Sequence, residues 1–367
     1  MRLGYHAPPV KSASGVAHYA QRLAAALEAH CEIARNAERA DVHLYHLGNN
    51  QLHREIYGRA LARPGVVLLH DANLHHFYLG SLARPSYLDE FAWQYGEWNR
   101  GLGEQLWDNR GRSAADPAYF QYAMLKRVAG AARTVIVHNR AAAGKVLEQA
   151  PEARVEVIPH LVEERENPGE QAVDRVRAEL GVGRRDFLLG VFGYLRETKR
   201  LAQTLRAFRA ARSAEPRLRL LVAGEFISQA YRASIATLLD TPGVIYRPRL
   251  EDAAFWKHIC AVDACVNLRY PASGESSGIG AFAMAAGKAL IVTAGGEYDE
   301  LPEGCGLTVE AGPDEAYRLT VYFKLLASHP EFARRIGVRL RAFALSSRGP
   351  RQVARCFLNA FENTRFT

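Results

Sequence analysis

Short apolar runs rich in β-branched residues alternate with stretches of helical period along almost the whole chain, a pattern that predicts parallel sheets wrapped by helices. In the first half the runs predict strands at residues 2–5, 42–46, 66–70, 134–137 and 155–158. Helices fall between them, most clearly at 16–29, where Val16, Tyr19, Leu23, Ala24 and Leu27 share one face. Residues 85–130 carry Trp93, Tyr95, Trp98, Trp107, Tyr119 and Tyr122 in helical pieces and read as an insertion. The alternation returns with strands at 187–192, 219–222, 244–246, 264–268, 289–293 and 307–309, and residues 313–367 read as helix only. The polar stretch 163–171, with Pro168-Gly169, predicts a linker. The fold class is therefore α/β, with two doubly wound, Rossmann-like parallel sheets whose strand ends face a central cleft. The domains fall at 1–165 and 166–345, followed by a C-terminal helix at 346–367.

Composition narrows the function. With 367 residues, 48% hydrophobic and 23% charged, the chain is too long for one ordinary core and too apolar for disorder. Its net charge of +8 suits an anionic partner. Residues 1–165 hold 19 basic and 17 acidic side chains, so the excess forms no dense stripe of the kind a nucleic-acid reader needs, and a nucleotide or phosphate ligand fits better. Five cysteines without a C-x-x-C pair argue against a disulfide framework or zinc site and predict a reducing, cytoplasmic setting. No signal peptide or membrane-crossing run is read, so the protein is expected to be soluble or peripheral. Eleven of thirteen histidines precede residue 166, which points the proton chemistry to the first half.

Four strand-end loops carry candidate chemistry. The first, Pro8 to Val16, enters a helix through Ser14, Gly15 and Val16, small enough to bring backbone N–H groups near an anion; it reads equally as an ordinary helix capped by Ser14. The second ends an apolar strand in His70-Asp71, an ionisable pair at the mouth of a sheet. His75 and His76 follow but, being adjacent, point apart; they read as structural histidines, and no metal site is predicted. In the third, Gly193 precedes Arg196, Lys199 and Arg200, a cationic clamp for a diphosphate or else a solvated basic turn. The fourth runs from Arg269 through Glu275-Ser276-Ser277-Gly278-Ile279, where a carboxylate inside a Gly/Ser loop is suited to sugar hydroxyls and the N–H groups of Ser277, Gly278 and Ile279 to phosphate oxygens. Neither half carries the G-x-G-x-x-G fingerprint of a dinucleotide enzyme.

In this order the loops resemble the GT-B-fold nucleotide-sugar glycosyltransferases, specifically the large retaining family numbered 4. Phe192-Gly193 through Lys199-Arg200 is similar to the family's Gly-x-Leu…Lys-Gly clamp, and Val222-Ala223-Gly224 to its next strand end. Arg269-Tyr270-Pro271 through Gly278, with Gly287-Lys288 and Glu300-Leu301-Pro302, is similar to the donor region; Val157-Ile158-Pro159 and Ser14-Gly15-Val16 match first-domain motifs. Tyr194 stands where the clamp commonly has arginine, Phe282 or Ala283 where it has a second glutamate, and His160 where asparagine is usual. The resemblance implies a retaining, hexosyl-type transfer from a nucleotide-diphosphate sugar to a glycan or lipid-linked acceptor, as in polysaccharide biosynthesis. It implies no cofactor and no metal, with the donor phosphate taking the acceptor proton. It assigns Lys199 and Arg196 to the diphosphate, Glu275 to the donor sugar, and His70 to orienting sugar or acceptor, with Asp71, Gly193 and Arg269 as further cleft candidates. It also implies that the last helix crosses back to the first domain, while the basic excess of +8 allows contact with an anionic membrane face. The alternative is a non-catalytic relative that binds a nucleotide sugar or a partner.

Overall fold

The computed structural model describes all residues except Val10, Ala13, Phe366 and Thr367, and only the backbone of Arg365, so Val10 and Ala13 of the first candidate loop lie outside the described residues. Two compact units divide the chain: the first comprises Met1–Leu161, Pro271–Gly278 and the chain from Pro350 onward, the second Val162–Tyr270 and Ile279–Gly349.

The first unit holds a six-stranded sheet of β1 (Arg2–His6), β2 (Glu32–Arg35), β3 (Val42–Leu47), β4 (Val66–Leu69), β5 (Thr134–Val137) and β6 (Val155–Val157), ordered β2-β1-β3-β4-β5-β6. Every pairing is parallel. The central strands are buried on both faces, which is why they read as unbroken apolar runs. The helix Gly15–Leu27 and the final helix Pro350–Arg365 cover one face, where Leu23, Leu27, Val353, Phe357 and Phe361 pack with Leu3, Leu44 and Leu68. The aromatic stretch folds as the helices Arg84–Tyr95, Arg100–Asp108, Ala118–Gln121 and Lys126–Ala131, burying Tyr87, Phe91 and Tyr119 over the other side.

The second unit repeats the plan with β7 (Phe187–Phe192), β8 (Leu218–Ala223), β9 (Val244–Arg247), β10 (Ala264–Asn267), β11 (Ala289–Thr293) and β12 (Leu307–Val309), ordered β12-β11-β10-β7-β8-β9 and again all parallel. Strand order reverses between β7 and β10, which leaves a crevice at their carboxyl ends where open α/β sheets take ligands. Two differences from the sequence reading stand out. The edge strand β2 was not predicted, because Glu-Ile-Ala-Arg is short, half-exposed and carries charge at both ends. Pro271–Gly278, expected in the second domain, groups with the first unit.

Candidate functional site

At the carboxyl edge of the first sheet, histidines gather from several strands. His70 follows β4, His138 follows β5 and His160 follows β6; His46 comes from β3 and Tyr19 from the helix Gly15–Leu27. The Tyr19 ring lies 5.0 Å from His70, 5.0 Å from His138 and 4.7 Å from His160, centroid to centroid. His70 Nε2 meets His46 Nδ1 at 3.0 Å with the rings stacked. Burial, and then the neighbouring histidines, hold His70 and His46 well below the usual imidazole range, so both are neutral at pH 7. Burial likewise pushes His53 down to about 4; its Nδ1–H donates to the His46 carbonyl at 3.0 Å.

Other first-unit candidates have structural partners. Asp71 Oδ2 accepts from the Asn49 N–H at 2.9 Å and ties the turn after β4 to the turn after β3. His75 Nδ1–H donates to the Tyr122 carbonyl at 2.8 Å, which leaves Nε2 to accept from Tyr87 Oη at 2.7 Å. His76 Nε2–H donates to the Ser113 carbonyl, and its Nδ1 accepts from Asn49. Both rings are thus spent within the fold. Ser14 precedes the helix Gly15–Leu27 in extended backbone, but its hydroxyl makes no cap bond; its own N–H donates to the Ser12 carbonyl at 2.7 Å. Gly15 and Val16 form the first turn beside it.

The Glu275 loop is anchored within the same unit. Asn139, which caps the helix Arg140–Gln149 through Ala142 N, also donates from Nδ2 to the Gly274 carbonyl at 3.1 Å and to Ser276 Oγ at 3.3 Å. Lys145 Nζ donates to the Ala272 carbonyl at 3.2 Å; burial pulls its pKa down, and the Glu275 and Glu148 carboxylates push it back up. Glu275 Oε2 accepts from Ser273 N–H at 2.5 Å. Gly274 has φ +74, and a Cβ there would stand 2.9 Å from that of Ala72, so two separate constraints select glycine. Ser277 is buried, and Gly278 and Ile279 open the helix Gly278–Ala285.

In the second unit the candidates collect beside the switch point. Gly193 directly follows β7 with φ +96, and its carbonyl lies so close to Gly224 after β8 that a Cβ on Gly224 would be 1.8 Å from it. The loop then forms the short turn Glu197–Lys199, which begins after the exposed Arg196. Lys199 is only 8% exposed; its Nζ donates to Asn267 Oδ1 at 3.1 Å and lies 3.5 Å from the Phe192 carbonyl. Arg269 is held through its backbone N–H, which donates to Thr293 Oγ1 at 2.9 Å. Sequence reasoning missed Asn267, Tyr19 and His46. The signal for Asn267 was present, since a polar residue closing an apolar strand is the same pattern that marked His70.

Arg200 adopts φ +56, a left-handed conformation that disfavours any residue with a Cβ. A fork of contacts to the buried Glu315 holds it there: Nε is 2.9 Å from Oε2, and Nη2 reaches the same oxygen. Arg200→Gly and Arg200→Ala should both lose stability, because each leaves the Glu315 carboxylate buried without its partner. The glycine variant should be the more stable by about 1 kcal/mol, since it carries no left-handed penalty. Urea unfolding of the two variants tests this, and an alanine variant at least as stable as the glycine one refutes it.

No protein-family model matches the chain, and no curated protein matches it in sequence. Solved structures do match in three dimensions. HepE from Anabaena, in complex with UDP-glucose, superposes with a TM-score of 0.69 at 14% identity over 99% of this chain and 100% of that one. The chain has the GT-B fold. Two further GT-B structures agree. Sucrose-phosphate synthase from Thermosynechococcus elongatus gives a TM-score of 0.69 at 16% identity over 99% of this chain and 98% of that one. WaaG, a glycosyltransferase involved in lipopolysaccharide biosynthesis, gives 0.59 at 14% identity over 96% and 98%. This is the architecture the alternation of strands and helices predicts, with the GT-B resemblance placed on the loops.

Proposed function

We propose that the chain is a glycosyltransferase that moves a sugar, of hexosyl type, from a nucleoside-diphosphate donor to a glycan or lipid-linked acceptor with retention of configuration. The observation that carries the reading is Lys199, an ammonium almost fully withdrawn from solvent at the switch point of a GT-B sheet, beside the Gly193–Gly224 approach. HepE, of the same fold, holds UDP-glucose in one solved form and UDP with glucose in another.

The roles follow from where charge develops. As the bond between sugar and diphosphate breaks, negative charge grows on the leaving phosphate oxygens. Lys199 and Arg196 oppose it, and the N–H groups of Ser277, Gly278 and Ile279 add oriented donors. Gly193 lets a phosphate approach the backbone without a side chain in the way. Protein charge does this work in our reading, so neither metal nor cofactor is assigned. A donor phosphate oxygen takes the acceptor proton, which accounts for retention without two carboxylates flanking the bond. Glu275 grips donor-sugar hydroxyls, and neutral His70 orients the sugar or acceptor; Asp71, Arg269 and the Ser14-Gly15-Val16 turn are supporting candidates. Among the described residues no helix is long and apolar enough to cross a membrane. A lipid-linked acceptor would bring the protein to a membrane surface, and the charge of +8 suits an anionic one.

Glu275→Gln tests the sugar assignment. The amide keeps an oxygen for the Ser273 N–H, so the loop holds, but the anion that strengthens bonds to sugar hydroxyls is gone. Transfer should fall roughly tenfold or more, at about 1.4 kcal/mol per decade, while affinity for the bare nucleoside diphosphate stays unchanged. His70→Ala should divide the same way. Transfer at the parent rate in Glu275→Gln refutes the assignment; an equal loss of nucleotide affinity moves Glu275 from the sugar to the phosphate or ribose.

One observation favours a second reading, a non-catalytic binder of nucleotide sugars. Of Phe282 and Ala283, which stand where the family resemblance expects a second glutamate, Phe282 lies edge-on to Phe255 at 5.1 Å with the Arg165 guanidinium 4.8 Å from its ring, and Ala283 is buried. Binding of a nucleotide sugar without turnover, in the presence of candidate acceptors or water, would select it.

A further inference from the structure

We infer that Asn267 is the positioning residue for Lys199, with Tyr298 locking its amide in place; the inference rests on the reading of Lys199 as a diphosphate ligand. A lysine ammonium ends a flexible four-carbon stem and offers three donors with no preferred direction, so burial alone does not aim it. Two acceptors near Nζ come from the strands that bracket the switch point: the Phe192 carbonyl of β7 at 3.5 Å and Asn267 Oδ1 at the end of β10 at 3.1 Å. Asn267 is 3% exposed, so its amide polar groups depend on protein partners.

The amide orientation follows from chemistry. The ammonium only donates, so the group facing it at 3.1 Å is the amide oxygen. The Asn267 Nδ2 then donates to Tyr298 Oη at 2.7 Å, and a flipped amide would set NH2 against the ammonium. Tyr298 belongs to the turn Gly296–Glu300 after β11, so the ends of β7, β10 and β11 join in one line of hydrogen bonds that terminates on Lys199. A neutral acceptor is the apt choice. It fixes one N–H of the ammonium without drawing on its charge, whereas a carboxylate at the same place would form an ion pair that competes with a phosphate.

The test compares UDP with uridine by calorimetry on the full-length protein, because the preference for UDP reads the phosphate contribution alone. Asn267→Asp should reduce that preference tenfold or more and leave uridine affinity unchanged. Tyr298→Phe, a gentle change that removes only the hydroxyl, should reduce it a few-fold by freeing the amide to turn. Adding Asn267→Ala to Lys199→Ala should cost no further UDP affinity, since the neutral amide acts on the phosphate only through the ammonium. A merely structural role would instead weaken UDP and uridine together. A parent that prefers UDP over uridine, with Asn267→Asp and Tyr298→Phe retaining that preference, overturns this inference and spares the reading of Lys199. A parent with no preference for UDP overturns both.

Discussion

Lys199→Ala should weaken nucleoside-diphosphate binding by roughly ten- to a hundredfold without unfolding the protein. The size follows from a charge-assisted hydrogen bond, worth about 1.5–3 kcal/mol, at about 1.4 kcal/mol per decade of affinity. Folding should tolerate the change because a lysine ammonium gains little by leaving water, and alanine suits the short turn Glu197–Lys199 as well as lysine does. Arg196→Ala should act in the same direction with a smaller loss, since that side chain is exposed and solvent screens it. Titration of UDP, GDP and ADP into each variant at one fixed salt concentration checks this. Parent-like affinity in both variants would mean that the basic turn is only a solvated surface.

Acidification should destabilise the first unit by about 2 kcal/mol or more between pH 7.5 and pH 5. His46, His70 and His53 sit in its interior, and burial, the leading cause in each case, lowers their pKa values, that of His53 from 6.5 to about 4. The neighbours add to this: His46 faces His53, His138 and His6, and His70 faces His46, His138, His53 and His160, so charging one raises the cost of charging the next. Tyr19 among them stays un-ionised, its own pKa pushed far up by burial. The sign is fixed by linkage. Near pH 7.5 folded and unfolded chains both carry these imidazoles neutral, and no stability is at stake. As pH falls below 6.5 the unfolded chain takes up protons that the folded unit refuses, and stability drops by about 1.4 kcal/mol per pH unit for each such group until its folded pKa is reached. His53, with its folded pKa of about 4, accounts for about 2 kcal/mol of this by pH 5, and His46 and His70 add to it in the same direction. Trp93, Trp98 and Trp107, three of the four tryptophans, lie in this unit, so urea unfolding followed by tryptophan fluorescence reports on it. His53→Gln should flatten part of the slope. A midpoint that does not move between pH 7.5 and 5 would show that these rings titrate normally.

Much of the architecture was legible because a parallel sheet covered on both faces needs unbroken apolar strands, and Val66–Leu69 and Phe187–Phe192 are such runs. The strand β2 was not legible, since an edge strand with exposed ends needs no apolar pattern. His70 reads as a candidate because it breaks an apolar strand at its end, and Lys199 because it sits in a basic turn between a strand and a helix. Their partners were hidden for a topological reason: Asn267 is 68 residues from Lys199, and His46 is 24 from His70. Only the order of strands in each sheet brings them together. Arg200 illustrates a third kind of opacity. Nothing local signals that it is left-handed, and the carboxylate that holds it lies 115 residues away in Glu315. The anchoring of the Glu275 loop by Asn139 and Lys145 is likewise invisible before the chain is folded.

In the proposed reaction Lys199 of this GT-B chain holds the nucleoside diphosphate that leaves the sugar donor. The most direct test is a calorimetric titration of the intact protein with UDP, GDP and ADP, each beside its free nucleoside. At least one diphosphate should bind saturably and one-to-one, far tighter than its nucleoside. Binding of none of the three, or equal binding of diphosphate and nucleoside, would contradict it.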